Sequence, residues 1–309
     1  MSAMSTFARI VTLAAVAGLA ALTGCGTAPA GQPSPSGSAT APSPGSTAPS
    51  PGSTAPSPGA TTPGAGATTP SQGGTSAGTC QQPGSHLTAI RVGQYAGYDR
   101  VVFQFSGGLP ARSADYVQAV YHDPKGTVVP LPGQAYLRVV FQGASAVCGQ
   151  QGRTYTGPPV LTPYYPELLA VSAAGDFEGY LSFGIGLAAQ GGYHLYTLTA
   201  PDRVVIDISH VKLAAFPGIW DITSWPGYWS TQYAWLNGHQ PWRSDPLMVV
   251  QAWARSRWPG TTPAVTQTGA GTFKVTAPSG RVYTVAGARP VTTPGPWVIT
   301  TVVPGPLPV

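Results

Sequence analysis

The sequence predicts a mainly β protein: a β-sandwich domain followed by a small α+β domain, both preceded by a signal peptide and a disordered Pro-rich linker. Three observations lead there. Residues 26–79 contain only Pro, Gly, Ser, Thr and Ala apart from Gln32 and Gln72, a composition with too little apolar surface to offset the entropy of ordering. Beyond Cys80 the aromatic residues segregate, with eleven Tyr and no Trp in residues 80–215, and three Tyr with all eight Trp in residues 216–309. The first of these segments alternates apolar and polar residues with period two, whereas the second contains helical spacing.

The N-terminal 24 residues read as a lipoprotein signal peptide. Met1–Arg9 carries one positive charge, and Ile10–Leu22 is an apolar stretch shorter than the ~20 residues that span a bilayer. Leu22-Thr23-Gly24-Cys25 follows and resembles the bacterial lipobox, which implies lipidation of Cys25 and anchoring to the outer face of the cytoplasmic membrane. The alternatives, an ordinary cleaved signal or an uncleaved anchor, also place the remainder outside the cytoplasm. Residues 25–79 then form the tether. Ala-Pro-Ser-Pro-Gly-Ser-Thr occurs at 41–47 and 48–54, with a near copy at 55–61; such a period has no apolar face to stack.

Two cysteines remain, Cys80 and Cys148. In an oxidising compartment a lone pair forms a disulfide; two free buried thiols are the alternative. The absence of CxxC argues against a thiol oxidoreductase.

Residues 80–215 read as about eight short strands. Val101, Phe103 and Phe105 alternate, as do Leu137, Val139 and Phe141, and Leu181, Phe183 and Ile185. Further strands are expected at 87–95, 115–121, 168–173, 193–198 and 203–208. Turn signals such as Ser106-Gly107-Gly108 and Asp123-Pro124-Lys125-Gly126 separate them. Eight basic and eight acidic residues leave this segment neutral.

Residues 216–309 carry six basic and two acidic residues, net +4. Ser224 is placed to cap a helix from Trp225 to Leu236, which Asn237-Gly238 ends. Asp245-Pro246 opens a second helix, with Leu247, Val250, Ala254 and Trp258 on one face. Strands at 272–277, 281–287 and 296–303 complete an antiparallel meander.

The segment from His86 to about His210 resembles the AMIN-like domain of actinobacterial lipoproteins. The matching residues are Gly97-Tyr98-Asp99-Arg100-Val101-Val102-Phe103, Gly175-Asp176-Phe177-Glu178-Gly179, Gly184-Ile185-Gly186-Leu187 and Pro201-Asp202-Arg203-Val204-Val205-Ile206-Asp207. The resemblance implies a β-sandwich in the cell envelope, since AMIN domains place amidases and secretion proteins there, in some cases by binding peptidoglycan. The C-terminal part is similar only weakly to modules of other extracytoplasmic proteins and implies no function.

The chemistry-bearing residues are few. Neither HExxH nor GxSxG occurs, and residues 216–309 have one His and no Glu, too few for a zinc amidase. No cofactor or metal is expected, and a net charge of +5 without a basic run argues against nucleic acid. Gly184-x-Gly186-x-x-Ala189 imitates a dinucleotide loop, but Gly191-Gly192 and Pro201 stand where a helix is needed. Asp176 and Glu178, two apart, would share a face of a strand, as a carboxylate pair for glycoside chemistry or as a salt-bridged or turn-capping pair. Asp99 with Arg100, and Arg203 with Asp207, are expected to pair across strands, the alternative being an arginine that contacts a peptidoglycan stem carboxylate. Trp225 and Trp229 lead a cluster that either stacks on sugars or forms the core of its domain. Arg243, Arg255, Arg257, Arg281 and Arg289 are expected to add a weak, salt-screened attraction for anionic wall polymers.

The expectation is therefore a non-enzymatic, lipid-anchored envelope protein that binds peptidoglycan or a wall glycan. The alternative is a protein–protein module that scaffolds envelope enzymes.

Overall fold

The computed structural model describes residues 80–308, which belong to one compact unit. The expected signal peptide, the lipidation site Cys25 and the linker 25–79 lie outside the described residues. In chain order the N-terminal strands are β1 (Ser85–Tyr95), β2 (Tyr98–Ser106), β3 (Ala111–Val117), β4 (Ala135–Gln142), β5 (Ala144–Ser145), β6 (Val147–Cys148), β7 (Gly152–Arg153), β8 (Val160–Leu161), β9 (Leu168–Phe177), β10 (Tyr180–Leu187), β11 (Tyr193–Leu198) and β12 (Arg203–Ser209). They build two five-stranded sheets, ordered β11-β12-β2-β1-β5 and β3-β4-β10-β9-β8, plus a small β6-β7 ribbon.

The sandwich core is made of the three alternating runs. Val101, Phe103 and Phe105 from one sheet meet Leu137, Val139, Phe141, Leu181, Phe183 and Ile185 from the other, and all are buried. The ring of Phe103 lies 5.0 Å from that of Phe141 and 4.9 Å from that of Phe183. Burying each such side chain contributes about 1.5–3 kcal/mol, so the inward face of three strands alone accounts for a large share of the folding drive.

The second sheet is covered on its outer side as well. The strand expected at 115–121 ends at Val117, because the chain leaves the sheet there and folds back over it. Val120, Val129 and Leu131 then pack on Ala170 and Ala174. A Cβ on Gly184 would meet Leu131 Cδ1 at 2.7 Å, and one on Gly186 would meet the Pro132 carbonyl oxygen at 2.3 Å. These glycines sit in strand β10 to let a covering segment approach closely, and they form no phosphate loop.

Cys80 and Cys148 are joined by a disulfide. It clamps the chain just before β1 to the β6-β7 ribbon. The two-residue strands β5 to β8 have too few residues to show a period, and none was expected from the sequence.

The C-terminal module holds α1 (Trp225–Leu236), α2 (Pro246–Arg257), β13 (Ala264–Gly269), β14 (Thr272–Thr276), β15 (Val282–Ala288) and β16 (Val298–Pro304). Ser224 Oγ accepts from Gly227 N at 3.3 Å, and Asp245 Oδ1 accepts from Leu247 N at 2.8 Å, so both helices start where their caps were read. The four strands pair antiparallel in sequence order, with Val249, Val250, Trp253 and Ala254 of α2 packed on Phe273, Val275, Val285 and Ile299. The edge strand β13 is a fourth, unexpected member; almost all of it is exposed, so it carries no apolar alternation to read.

The two modules share a third core, in which Leu169 and Ala188 pack with Ile222, Tyr228, Trp229, Val291 and Val298. Gln232, 0% exposed, sits beside it. Its Oε1 accepts from Gly133 N at 2.8 Å, and its Nε2 donates to the Pro294 carbonyl at 2.8 Å. Thr293 Oγ1 adds a bond of 2.7 Å to the Gly133 carbonyl.

Candidate functional site

Strand alternation decides which of the expected site residues face solvent. On β2 the odd positions point into the core, so Asp99 is inside while its neighbour Arg100 is outside. Asp99 is 0% exposed and accepts from the backbone N–H groups of Glu167 and Leu168, both at 2.8 Å, with His210 Nε2 2.9 Å away. It is a lock that holds the start of β9 and the exit from β12. It reaches no ligand, and its partner is His210 rather than an arginine.

Beside this lock lies Glu167, also buried. Its Oε1 accepts from Ala189 N and its Oε2 from Val211 N. Burial pushes its carboxyl above the usual glutamate range, against the pull of those two amides.

Arg100 makes the cross-strand pair. Asp207 stands directly opposite it on β12, and the contact is bidentate: Nε to Oδ1 at 2.6 Å and Nη2 to Oδ2 at 2.8 Å. The hydrogen bond to Asp207 raises the guanidinium pKa further, more than burial lowers it. Arg203, expected to pair with Asp207, instead donates to the Pro201 carbonyl at 3.2 Å and sits opposite Gln104.

Three tyrosines that sequence reasoning passed over surround this pair. The two-residue turn Ala96-Gly97, with Gly97 at φ +88°, sets Tyr95 opposite Tyr98. Their rings stack 4.9 Å apart with an interplanar angle of 7°. The Arg100 guanidinium lies 5.0 Å from the Tyr95 ring centroid, 5.3 Å from that of Tyr98 and 5.9 Å from that of Tyr196. Arg100 Nη2 donates to Tyr98 OH and Tyr196 OH donates to Asp207 Oδ2, both at 3.3 Å. His194, opposite Asp207, stacks on Tyr196 at 5.0 Å. The result is a solvent-facing platform of rings around an internally neutralised ion pair. Three of the five guanidinium hydrogens are engaged by Asp207 and Tyr98, and the Nη1 pair is not among them.

The remaining expected residues lie elsewhere. Asp176 ends β9 and accepts from Ser145 Oγ at 3.0 Å and Ala146 N at 2.8 Å, tying β9 to the β5–β6 corner. Glu178 is not on a strand with it: it occupies the tight β9–β10 turn at φ +50°. The shared strand face is therefore replaced by a turn, and the two carboxylates do not form a strand-face pair. Trp229 is 2% exposed and Trp225 stacks on it at 5.1 Å while its Nε1 donates to the Ala214 carbonyl. Trp229 is core and Trp225 is a partly buried ring packed against it; the module has few Leu and Ile to fill that core. Arg243 is buried and paired with Asp221, so it drops out of the expected basic surface. No group of three or more potential metal ligands occurs among the described residues.

Residues 85–210 match the family model of the AMIN-like domain. No curated protein and no solved structure matches the chain. The platform residues Tyr95, Tyr98, Arg100, Tyr196 and Asp207, and the lock formed by Asp99, Glu167 and His210, all fall inside the matched segment.

Proposed function

We propose that this AMIN-like domain-containing protein is a non-enzymatic, extracytoplasmic envelope module, tethered by a lipid on Cys25, that holds peptidoglycan or an associated wall glycan on the Arg100 platform. The observation that carries the reading is the grouping of Tyr95, Tyr98 and Tyr196 around the Arg100–Asp207 pair on the open face of the AMIN-like sandwich. Aromatic rings offer flat apolar surface to the C–H faces of sugars. The Arg100–Asp207 pair holds the remaining guanidinium donors in a fixed direction, for a hydroxyl, an amide carbonyl or a stem-peptide carboxylate. Asp207 already balances the charge, so a neutral sugar costs no unpaired ion. Arg255, Arg257 and Lys274 of the C-terminal module, which make no salt bridge among the described residues, supply a salt-screened attraction for anionic polymers around it.

Co-sedimentation of the purified protein with sacculi tests this. The wild type is expected in the pellet, with Arg100→Ala and Tyr196→Ala each weakening the apparent affinity about tenfold, or about 1.4 kcal/mol. Wild-type protein that stays in the supernatant, or variants that pellet as the wild type does, would remove the platform from the account.

A further inference from the structure

A second feature shares no residue with the platform. Between the sandwich and the C-terminal module lies a cleft of about 550 Å³, inside the ~300–1,000 Å³ range of small-molecule sites. The sandwich wall presents Tyr116, Gln118, Gln134, Tyr136 and Gln190, and the facing wall is Thr292-Thr293-Pro294. An apolar annex of about 240 Å³ adjoins the cleft, shares Gln118, Tyr136 and Pro294 with it, and is lined further by Val120, Val129, Leu131 and Leu236. No charged side chain lines either compartment, although the C-terminal module is net positive.

The walls are fixed relative to one another. Buried Gln232 bridges Gly133 to Pro294, and Thr293 bonds the Gly133 carbonyl. The cleft is therefore preformed, which lowers the ordering cost of binding. Its polar groups are partly committed. Tyr116 OH donates to the Gly191 carbonyl at 2.8 Å, and Gln134 Nε2 donates to the Ala188 carbonyl at 3.0 Å. What remains is two tyrosine rings, an acceptor on Gln134, and the exposed amides of Gln118 and Gln190, which both donate and accept.

Amides, hydroxyls and rings beside an apolar pocket match hydroxyl and acetamido groups. A charged ligand would lose water here without finding a counter-charge. An extended peptide would pair along a free strand edge, and on the edge strand β3 the Ala114 carbonyl already accepts from Tyr193 OH. We propose that this cleft is a second binding site, for an uncharged oligosaccharide bearing acetamido groups, with the acetamido methyl in the annex. It shares with the platform reading only the class of ligand.

Titrating full-chain protein with N-acetylchitotriose, by calorimetry and amide NMR, tests it. Maltotriose serves as the sugar without acetamido groups and an Ala-Pro-Ser-Pro-Gly-Ser-Thr peptide as the uncharged peptide. The expected result is binding of the acetamido sugar in preference to maltotriose, with shifts at Gln118, Gln190 and Thr292. Gln118→Ala with Gln190→Ala should weaken binding at the cleft about tenfold at unchanged Tm, read at the Thr292 amide, which separates the cleft from the platform. No binding of N-acetylchitotriose, equal binding of maltotriose, occupancy by the peptide instead, or shifts confined to the amides of Tyr95, Tyr98 and Tyr196 would each overturn the proposal. The last of these would leave the platform standing alone, and the sacculus assay reads that platform separately.

Discussion

Asp99→Ala is the substitution that best separates a structural role from a ligand role, because Asp99 and Arg100 are neighbours in the chain and only their faces differ. Removing the carboxylate leaves the N–H groups of Glu167 and Leu168, each bonded to it at 2.8 Å, without an acceptor inside the protein. Each orphaned buried donor costs about 1–3 kcal/mol. His210 Nε2 loses its partner at 2.9 Å as well, which brings the total to roughly 3–6 kcal/mol. At about 2–4 °C per kcal/mol for a unit of this size, the melting temperature should fall by about 10–20 °C. Asp99→Asn keeps one oxygen for the two amides and should lose about half as much. The assay is differential scanning calorimetry, paired with sacculus co-sedimentation well below the transition. Both variants should pellet as the wild type does, since the side chain is 0% exposed. A melting temperature within about 3 °C of wild type, or lost pelleting at unchanged stability, would refute the reasoning and make Asp99 a candidate contact for the proposed ligand.

Four further outcomes follow from particular contacts. Glu167 titrates above its ordinary range when folded, so the folded state binds the proton more tightly than the unfolded state. The carboxyl therefore contributes less stability as pH climbs from the ordinary glutamate value through the raised one, and the stability difference between wild type and Glu167→Ala should narrow over that window; a constant or widening difference contradicts the assignment. Gln232→Leu keeps the volume but orphans Gly133 N–H, and should cost about 2–4 kcal/mol with faster proteolysis in residues 211–223, both checked by urea unfolding and limited digestion. Cys148→Ser opens a loop of 68 residues and should cost roughly 4 kcal/mol in the chain-entropy model, read as a lower urea midpoint. Cys25→Ala should release the protein from the membrane fraction or leave an uncleaved precursor, whereas normal maturation with full retention would argue against lipidation.

The parts of this fold that were legible in the sequence are those governed by short-range rules. The period-two runs at Val101–Phe105, Leu137–Phe141 and Leu181–Ile185 became the sandwich core, because alternation alone sorts residues to faces. Ser224 and Asp245 marked helix starts because a capping oxygen needs only a backbone N–H two or three residues away. The platform was legible only in part. Arg100 and Asp207 stood out as charges in β patterns, but which of Asp99 and Arg100 points outward depends on the register, and Asp207 lies 107 residues from Arg100. Tyr95, Tyr98 and Tyr196 come from three strands and are ordinary residues in each. The covering segment 118–133 misled, since Val120 continued an alternation that the chain had already left. The cleft has no signature at all, because its two walls are about 160 residues apart and it is lined by uncharged residues.

The two candidate sites share one end of the molecule. β1 leaves Ser85, five residues after the disulfide-bonded Cys80, and reaches Tyr95 in the platform ten residues later, a run of about 30–35 Å at strand rise. β4 runs the opposite way, from Ala135 in the wall of the cleft to Gln142, next to the Gly143 carbonyl that accepts from Ser85 N at 3.2 Å. Platform and cleft therefore lie at the end of the sandwich remote from the point where the chain enters, and a tether on the N-terminal side would present both away from its attachment. Tension on that tether would reach Cys80 first. The bond to Cys148 passes the load to the β6–β7 ribbon, which Asp176 holds to β9 through the Ala146 N–H. Without the bond the load would fall on the first ladder hydrogen bonds of β1, which break one at a time when a strand is pulled from its end. The disulfide would thus protect the strand that carries Tyr95, although it lies a full strand length from the platform.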